Sequence, residues 1–314
     1  MLVWVVALVL ALPAVALTVA RLSGSEQRVA VQAQAFAPLA IVLYAGLVLL
    51  LVAVSARAGS RALPVAAAVA AAVLLAVHAA WVAPMLRAEA APTGGTVTVM
   101  TSNLLHGGAD MTTVLATARA DDVDLLALEE ATPAALARLE AAGVAETFPY
   151  RSGEWGTVVL ARTPLADEDP IPGVEDSLAV TWEGRRIFAV HPAYPRRTAD
   201  WRAQLAALAL EAADQRPALL LGDFNATRDH QPFRRLLGTG YRDAAEQAGS
   251  GWQPTWPVRG TARPWGLPLP PSVAIDHVLV GHGLVATSTR TVVVGNTDHK
   301  ALVATLAVEG RPGS

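Results

Sequence analysis

The chain contains no cysteine and a single lysine, and roughly its first ninety residues are nearly free of charge. The missing cysteine excludes a disulfide framework and any thiolate zinc site, while leaving either redox compartment open. No large positive charge is present either: the net charge is −3. That removes the global electrostatic footprint expected of a non-specific nucleic-acid binder. The basic residues are nearly all arginine, which together with the Ala/Val bias points to a GC-rich genome and carries no functional information.

Apolar residues, by contrast, are abundant at 53% of the chain. They concentrate at the front, in runs from Leu2 to Ala20, Phe36 to Ala56 and Leu63 to Leu86, closed by Arg21, Arg57 and Arg87. About 20 apolar residues carry a helix across the hydrocarbon core, and each run suffices. The spacing therefore predicts three transmembrane helices in a membrane domain over 1–90. The alternative for the first run, a cleaved signal peptide, fits less well because the run is long and no charged residues precede it. His78 lies inside the third run and reads as packed or snorkelling. Arg57 and Arg61 favour a cytoplasmic second loop, which sends the C-terminal part outside; Arg21, Arg28 and Arg87 argue the other way.

A short linker over 91–95 contains Pro92, Gly94 and Gly95. Beyond it, over 96–310, β-like runs alternate with helical stretches. Strands are predicted over Thr96–Met100, Asp124–Leu128, Thr157–Leu160, Arg186–Val190, Ala218–Leu221, Ile275–Val280, Thr291–Val294 and Leu302–Leu306. Helices are predicted over Met111–Ala120, Pro133–Ala142 and Ala199–Asp214. Many strands with helices at intervals imply two sheets packed face to face with helices outside. The stretch Ser250–Ser272, with Trp252, Trp256, Trp265 and six prolines, is long for a loop within a compact domain.

The informative residues are polar ones at the ends of apolar strands: Asn103, Glu130, His191, Asp223 with Asn225, Asp276, and Asp298 with His299. Singly, an Asn or Asp after a strand is an ordinary turn residue, and Glu129–Glu130 could be solvated charges at a helix start. Together they form an inventory of Asn, Asp, Glu and His without Cys or Lys. That inventory suits a hard, oxygen-seeking cation, Mg²⁺ or alternatively Mn²⁺, and phosphate chemistry.

The strings Thr101–Ser102–Asn103, Leu126–Ala127–Leu128–Glu129–Glu130, Gly222–Asp223–Phe224–Asn225, Ile275–Asp276–His277 and Thr297–Asp298–His299 resemble the endonuclease/exonuclease/phosphatase (DNase I-like) family. The resemblance covers roughly Thr96 to Val308. It implies a four-layered α/β/β/α sandwich with its site at one end of the two sheets. It also implies that Asn103 and Glu130 hold the metal, with Asp298 near it. Asp223 would orient or deprotonate the attacking water, and Asn225 would bind phosphate. His299, aligned by Asp276, would stabilise charge on the phosphoryl group, and His191 would be a second phosphate contact. Glu129 stands where many members have Gln, Thr297 replaces a common Ser, no Arg precedes Ile275–Asp276, and Lys300 is less usual. None of these departures removes a metal or acid/base group.

The family's substrates range from DNA to inositol phosphates, sphingomyelin and other phosphorylated lipids, so motifs stop at phosphoester hydrolysis. Two features favour a lipid-linked substrate: the catalytic part starts about ten residues after the third run, and tryptophans of the 250–272 stretch could rest in a membrane interface. Those tryptophans could equally pack the loop onto the sandwich. Arg185, Arg186, Arg196, Arg197 and Arg202 could steer an anionic substrate or form a solvated edge. Some members with three spans before this domain hydrolyse undecaprenyl pyrophosphate and confer glycopeptide resistance. The expectation is thus a hydrolase integral to a bacterial cell membrane, with an extracytoplasmic catalytic domain. A nuclease and a catalytically silent membrane scaffold are the alternatives; acidic balance and scarce lysine count against nucleic acid.

Overall fold

The computed structural model describes residues 2–25, 27–57, 62–258, 260–261, 268 and 270–309. Arg61 and Trp265 lie outside the described residues. The chain divides into two compact units, one of Met1–Pro84 with Asp229–Gln231 and one of Met85–Arg228 with Pro232–Ser314.

The N-terminal unit is helical: α1 (Leu2–Ser23), α2 (Arg28–Gln34), α3 (Ala40–Arg57) and α4 (Ala62–Val82). Three segments, Leu2–Ser23, Ala37–Arg57 and Ala62–Leu86, are long and apolar enough to cross a membrane. Their contacts use small residues, Ala7, Ala14, Ala40, Ala68 and Ala71, around Tyr44, Leu47 and Leu51. Leu8, Leu12, Val42, Leu49, Val69 and Val73 instead point outward and are exposed, an arrangement suited to lipid rather than water. His78 is packed, not snorkelling. It is buried, its Nε2 lies 3.0 Å from Thr18 Oγ1, and that hydroxyl lies 2.8 Å from the Tyr44 hydroxyl. One polar cluster thus links α1, α3 and α4.

The second unit runs through β1 (Thr96–Asn103), α5 (Met111–Ala120), β2 (Leu125–Ala131), α6 (Pro133–Ala141), β3 (Tyr150–Ser152) and β4 (Gly156–Ala161). It continues through β5 (Leu165–Pro170), β6 (Leu178–Trp182), β7 (Arg185–Val190), α7 (Thr198–Gln215), β8 (Leu219–Asp223) and α8 (Gln231–Leu237). The last elements are β9 (Arg242–Asp243), α9 (Ala244–Gln247), β10 (Asp276–Val280), β11 (Leu284–Val293) and β12 (Lys300–Val308). They build two mixed six-stranded sheets, ordered β11-β12-β1-β2-β4-β3 and β5-β6-β7-β8-β10-β9. With helices flanking the sheets, this is the α/β sandwich expected from the sequence.

Alternation along the strands explains the layers. Val99, Leu125, Ala127, Ile187, Ala189, Leu219, Leu221 and Val278 bury themselves in the core shared by both sheets. Met100, Leu126 and Leu128 face the other way, onto Met111, Val114 and Leu115 of α5 and Leu136 and Leu139 of α6. Strands covered on both faces read as continuous apolar runs, which is why they were legible.

Each sheet has one parallel pair at its centre, β1/β2 joined through α5 and β7/β8 joined through α7. A parallel pair needs a crossover, so it delivers two strand C-termini to the same edge. Both pairs end in polar residues. β10 and β12 run antiparallel to their central neighbours and begin at that edge, bringing Asp276 and the Asp298–His299 turn there.

Candidate active site

The alternation that fills the core also aims the site. Counting in twos from Leu219 and Leu221 puts Asp223 on the inner side of its sheet, and from Ile187 and Ala189 it puts His191 there. Leu125 and Ala127 likewise lead to Glu129, Val99 and Thr101 to Asn103, and Val280 and Val278 to Asp276. Register completes the convergence: Asn103 lies opposite Glu129, and Asp223 opposite Asp276.

Glu130 is out of phase, and its placement comes from a bulge. Pairing of β2 with β4 shifts between Leu128 and Ala131, and Glu130 has φ +54°. The extra residue re-aims the side chain. Glu130 Oε1 then accepts a hydrogen bond from Asn103 Nδ2 at 3.2 Å, and Oε2 accepts one from the His106 backbone N–H at 2.6 Å. His106 Nδ1 also lies 3.0 Å from Glu130 Oε2.

Asp223 sits at the middle. Its Oδ2 accepts from Asn103 Nδ2 at 3.0 Å, and its Oδ1 from the Asn225 backbone N–H at 2.8 Å. His299 Nε2 and His191 Nε2 lie 3.7 Å and 3.9 Å from Oδ2. His191 Nε2 is also 3.8 Å from Glu130 Oε1. His299 Nδ1 pairs with Asp276 Oδ2 at 2.9 Å, which fixes its ring. Asn225, at φ +50°, donates from Nδ2 to Pro192 O at 3.1 Å. Asp298 Oδ1 approaches His299 Nε2 at 3.9 Å. The structure therefore brings together every residue singled out from the sequence: Asn103, Glu130, His191, Asp223, Asn225, Asp276, Asp298 and His299.

Burial sets the electrostatics. It pushes Asp223 above its ordinary range, with Asp276 adding to the rise and His299 and His191 opposing it. His299 is buried too, which alone would lower it. The carboxylates of Asp276, Asp223 and Asp298 outweigh that and push it up to about 10. Glu129, wholly buried with one oxygen on the Thr101 hydroxyl at 2.7 Å, is driven well above the usual range by desolvation.

Ligand atoms of Asp223, Asp276 and His299 all fall within 4.8 Å of one another, and such a group could hold a metal. Asn103, Glu130 and Asp298 bring further oxygens, the atom type a hard cation prefers, to the same end of the sandwich, Asn103 Oδ1 there accepting from the Leu105 N–H at 2.9 Å. Asp298 Oδ1 is a buried carboxylate oxygen with no hydrogen-bond partner among the described residues.

Sequence reasoning missed three contributors. His106, one turn residue among many in the sequence, touches Glu130. Thr297 Oγ1 donates to Asn103 O at 2.9 Å, tying the last motif to the first. Trp256, read only as loop packing or membrane contact, donates its indole N–H to Asp298 Oδ2 at 2.9 Å. A tryptophan beside proline gives no sequence signal for that role. Trp252 is half-exposed. Of the five arginines, Arg186 pairs with Asp169 and Arg197 with Glu175 and Asp200.

The sequence model of the Endonuclease/Exonuclease/phosphatase family matches residues 100–299. Among solved structures, the 3′ phosphatase NExo from Neisseria, bound to product DNA hairpin, is 20% identical with TM-score 0.51. That match covers 66% of this chain and 98% of that one. D. rerio TDP2 complexed with single-strand DNA product is 14% identical with TM-score 0.52, covering 68% of this chain and all (100%) of that one. An endonuclease/exonuclease/phosphatase from Beutenbergia cavernae is 19% identical with TM-score 0.51, covering 70% and 73%. Likeness at these identities shows the fold alone. No curated protein sequence matches the chain. The matched span takes in every strand end described above, from Met100 to His299, and the chain belongs to the Endonuclease/Exonuclease/phosphatase family.

Proposed function

We propose that the chain is a membrane-anchored, Mg²⁺-dependent phosphoesterase that hydrolyses a lipid-linked phosphate ester or pyrophosphate outside the cytoplasm, in a bacterial cell membrane. The observation that carries the reading is the arrangement around Asp223: one buried carboxylate held by Asn103 and Asn225, with His299 Nε2 at 3.7 Å and His191 Nε2 at 3.9 Å. Helices apolar enough to span a membrane support the anchor.

In this reading Asn103, Glu130 and Asp298 hold the cation, which would supply positive charge beside the phosphoryl oxygens. Asp223 takes a proton from the attacking water as the water oxygen bonds to phosphorus; the P–O bond to the leaving group breaks, its electron pair departs with the leaving oxygen, and that oxygen takes up a proton from solvent. Two fixed hydrogen bonds hold its oxygens in place, which is the positioning such a step requires. His299, kept protonated and oriented by Asp276, donates to charge growing on the phosphoryl group. His191 and the remaining Nδ2 proton of Asn225 face the same oxygens.

The domain boundaries read from the sequence, 1–90, 91–95 and 96–310, stand as part of this proposal. The test uses the full chain in detergent micelles with Mg²⁺. Phosphate release is measured from undecaprenyl pyrophosphate and a phosphatidylinositol phosphate, phosphocholine release from sphingomyelin, and nicking is scored on plasmid DNA. Turnover of a lipid, abolished by Asp223→Ala, supports the proposal. Nicking of DNA alone replaces it with a nuclease reading, which the DNA-bound structures of NExo and TDP2 make the natural second choice. No turnover of any substrate refutes the lipid assignment.

A further inference from the structure

The two oxygens of Asp298 have unlike surroundings. Oδ2 accepts the Trp256 indole N–H at 2.9 Å. Oδ1 is buried, has no hydrogen-bond partner among the described residues, and lies 3.9 Å from His299 Nε2. An unsatisfied buried carboxylate oxygen is costly, and one that persists at a reactive centre calls for an explanation.

Trp256 is itself held firmly. Its backbone N–H donates to Val273 O, and its carbonyl accepts from the N–H groups of Ser272 and Val273, each at 3.0 Å. Beside it, Thr255 Oγ1 accepts from the backbone N–H groups of Ile275 and Asp276 at 3.2 Å. Thr255 O accepts from Lys300 N–H at 2.9 Å, and Val258 N–H donates to Asp298 O at 2.7 Å. The segment from Thr255 to Val258 is thus fastened both to the start of β10 and to the turn that carries Asp298 and His299. The indole sits on a frame shared by two parts of the site.

An indole nitrogen can only donate, and this one has a rigid ring and a fixed backbone. Binding Oδ2 fixes the carboxylate about its terminal torsion, which is otherwise soft. Only Oδ1 is then free to act. We propose that Trp256 is a positioning residue for the divalent-cation site: its N–H holds Asp298 so that Oδ1 faces the cation. This inference rests on the reading above, in which Glu130 and Asp298 hold that cation. It assigns to Trp256 neither of the roles its sequence suggests, lipid contact or loop packing.

The test measures Mn²⁺ affinity of the full chain in detergent micelles, by electron paramagnetic resonance of free Mn²⁺ at neutral pH. Trp256→Phe keeps an aromatic ring and removes the N–H. Affinity should fall tenfold or more, in the range of roughly 10- to 100-fold that outer-shell partners of metal ligands command. Trp256→His keeps an N–H at the matching position of a five-membered ring and should stay within about threefold of wild type. In an Asp298→Ala background, Trp256→Phe should have almost no further effect, because the residue it acts through is gone. Far-UV circular dichroism and melting confirm folding of each variant.

Equal weakening by Phe and His would mean that ring bulk, not the N–H, matters, and the proposal falls. It also falls if Trp256→Phe binds Mn²⁺ like wild type while Glu130→Ala does not, a result that leaves the cation site standing. If Glu130→Ala itself binds Mn²⁺ normally, the site reading fails and this inference with it. Should Trp256→Phe not fold, Trp256→His decides alone: weak binding by a folded Trp256→His overturns the proposal.

Discussion

Gly222 precedes Asp223 and pairs with Val190 across the parallel β7/β8 ladder. Its φ is +144°, and a Cβ built there would stand 2.0 Å from Val190 O and 3.0 Å from Val190 C and N. Real Cβ contacts do not fall below 3.0 Å, so Gly222→Ala must part the two backbones by about 1 Å or twist the chain. Strained φ costs about 1–3 kcal/mol, and overpacking adds about 1–3 kcal/mol. A total near 3 kcal/mol lowers the melting temperature by roughly 6–12 °C for a domain of this size. The strands that separate are those carrying His191 and Asp223. A displacement of about 1 Å at reacting groups costs on the order of 10²-fold in rate, so kcat should fall by that much in protein that still folds. Gly184 is the control. It lies in the β6–β7 turn at φ +72° with nothing near its would-be Cβ, so Gly184→Ala pays only the conformational term, about 1 kcal/mol, and keeps its activity. The assays are thermal melting by circular dichroism and turnover of a generic phosphodiester in micelles. If Gly222→Ala matched Gly184→Ala in both, the close approach of β7 and β8 would not be what sets the site.

Asp223→Asn should lower kcat/KM by about 10²–10⁴-fold, the usual worth of a positioned acid/base group. It should also raise the melting temperature, because a carboxyl raised by burial destabilises the fold once ionised. Chelation should abolish hydrolysis and added Mg²⁺ restore it; activity that survives chelation would remove the cation from the mechanism. The pair His277–Asp243, at 2.6 Å and buried, tests the electrostatics away from the reacting groups. Burial lowers His277, but Asp243 more than offsets this and raises it. Asp243 is lowered by His277 against its own desolvation. His277 thus stabilises the fold fully below its ordinary value of 6.5, and that contribution fades as pH rises through its higher folded value. Asp243 stabilises above 3.8, fading as pH falls through its lower folded value. Asp243→Asn should cost about 3–5 kcal/mol between those limits and progressively less beyond them. Melting curves from pH 3 to pH 9 check this, and a loss independent of pH would refute it.

How much of this was legible follows from where each residue's neighbours lie along the chain. The helices α5, α6 and α7 and the central strands were read from sequence because both faces of each central strand are apolar and each helix has one apolar face. β6, Leu-Ala-Val-Thr-Trp and almost wholly buried, was missed although its apolar run is a strand signal; the other missed strands have no such local signature. β5 is Leu-Ala-Asp-Glu-Asp-Pro, exposed over most of its length, and exists because β6 lies beside it. β3 and β9 hold three and two residues, and α9 four, too few for any period to show. Trp256 was visible as a residue but not as a contributor, since Asp298 is far from it in sequence.

The adjacent pair Glu129–Glu130 shows most clearly what alternation can and cannot deliver. A strict two-residue period from Leu125 and Ala127 points Glu129 between the sheets and Glu130 onto the helix layer. By that rule Glu129 is the site carboxylate and Glu130 a surface charge. The family resemblance assigns the cation to Glu130 instead, and pattern alone gives no reason for it. The bulge supplies the reason. By adding one residue to β2 opposite β4, it lets both side chains reach the end of the sandwich from one strand, in different environments. Glu129 falls into a dry position with Oε1 on the Thr101 hydroxyl, where desolvation drives it well above the usual carboxylate range. Glu130, partly exposed, is instead held by Asn103 and the His106 backbone. Two identical side chains are thus placed in one dry and one partly exposed environment by a single left-handed residue.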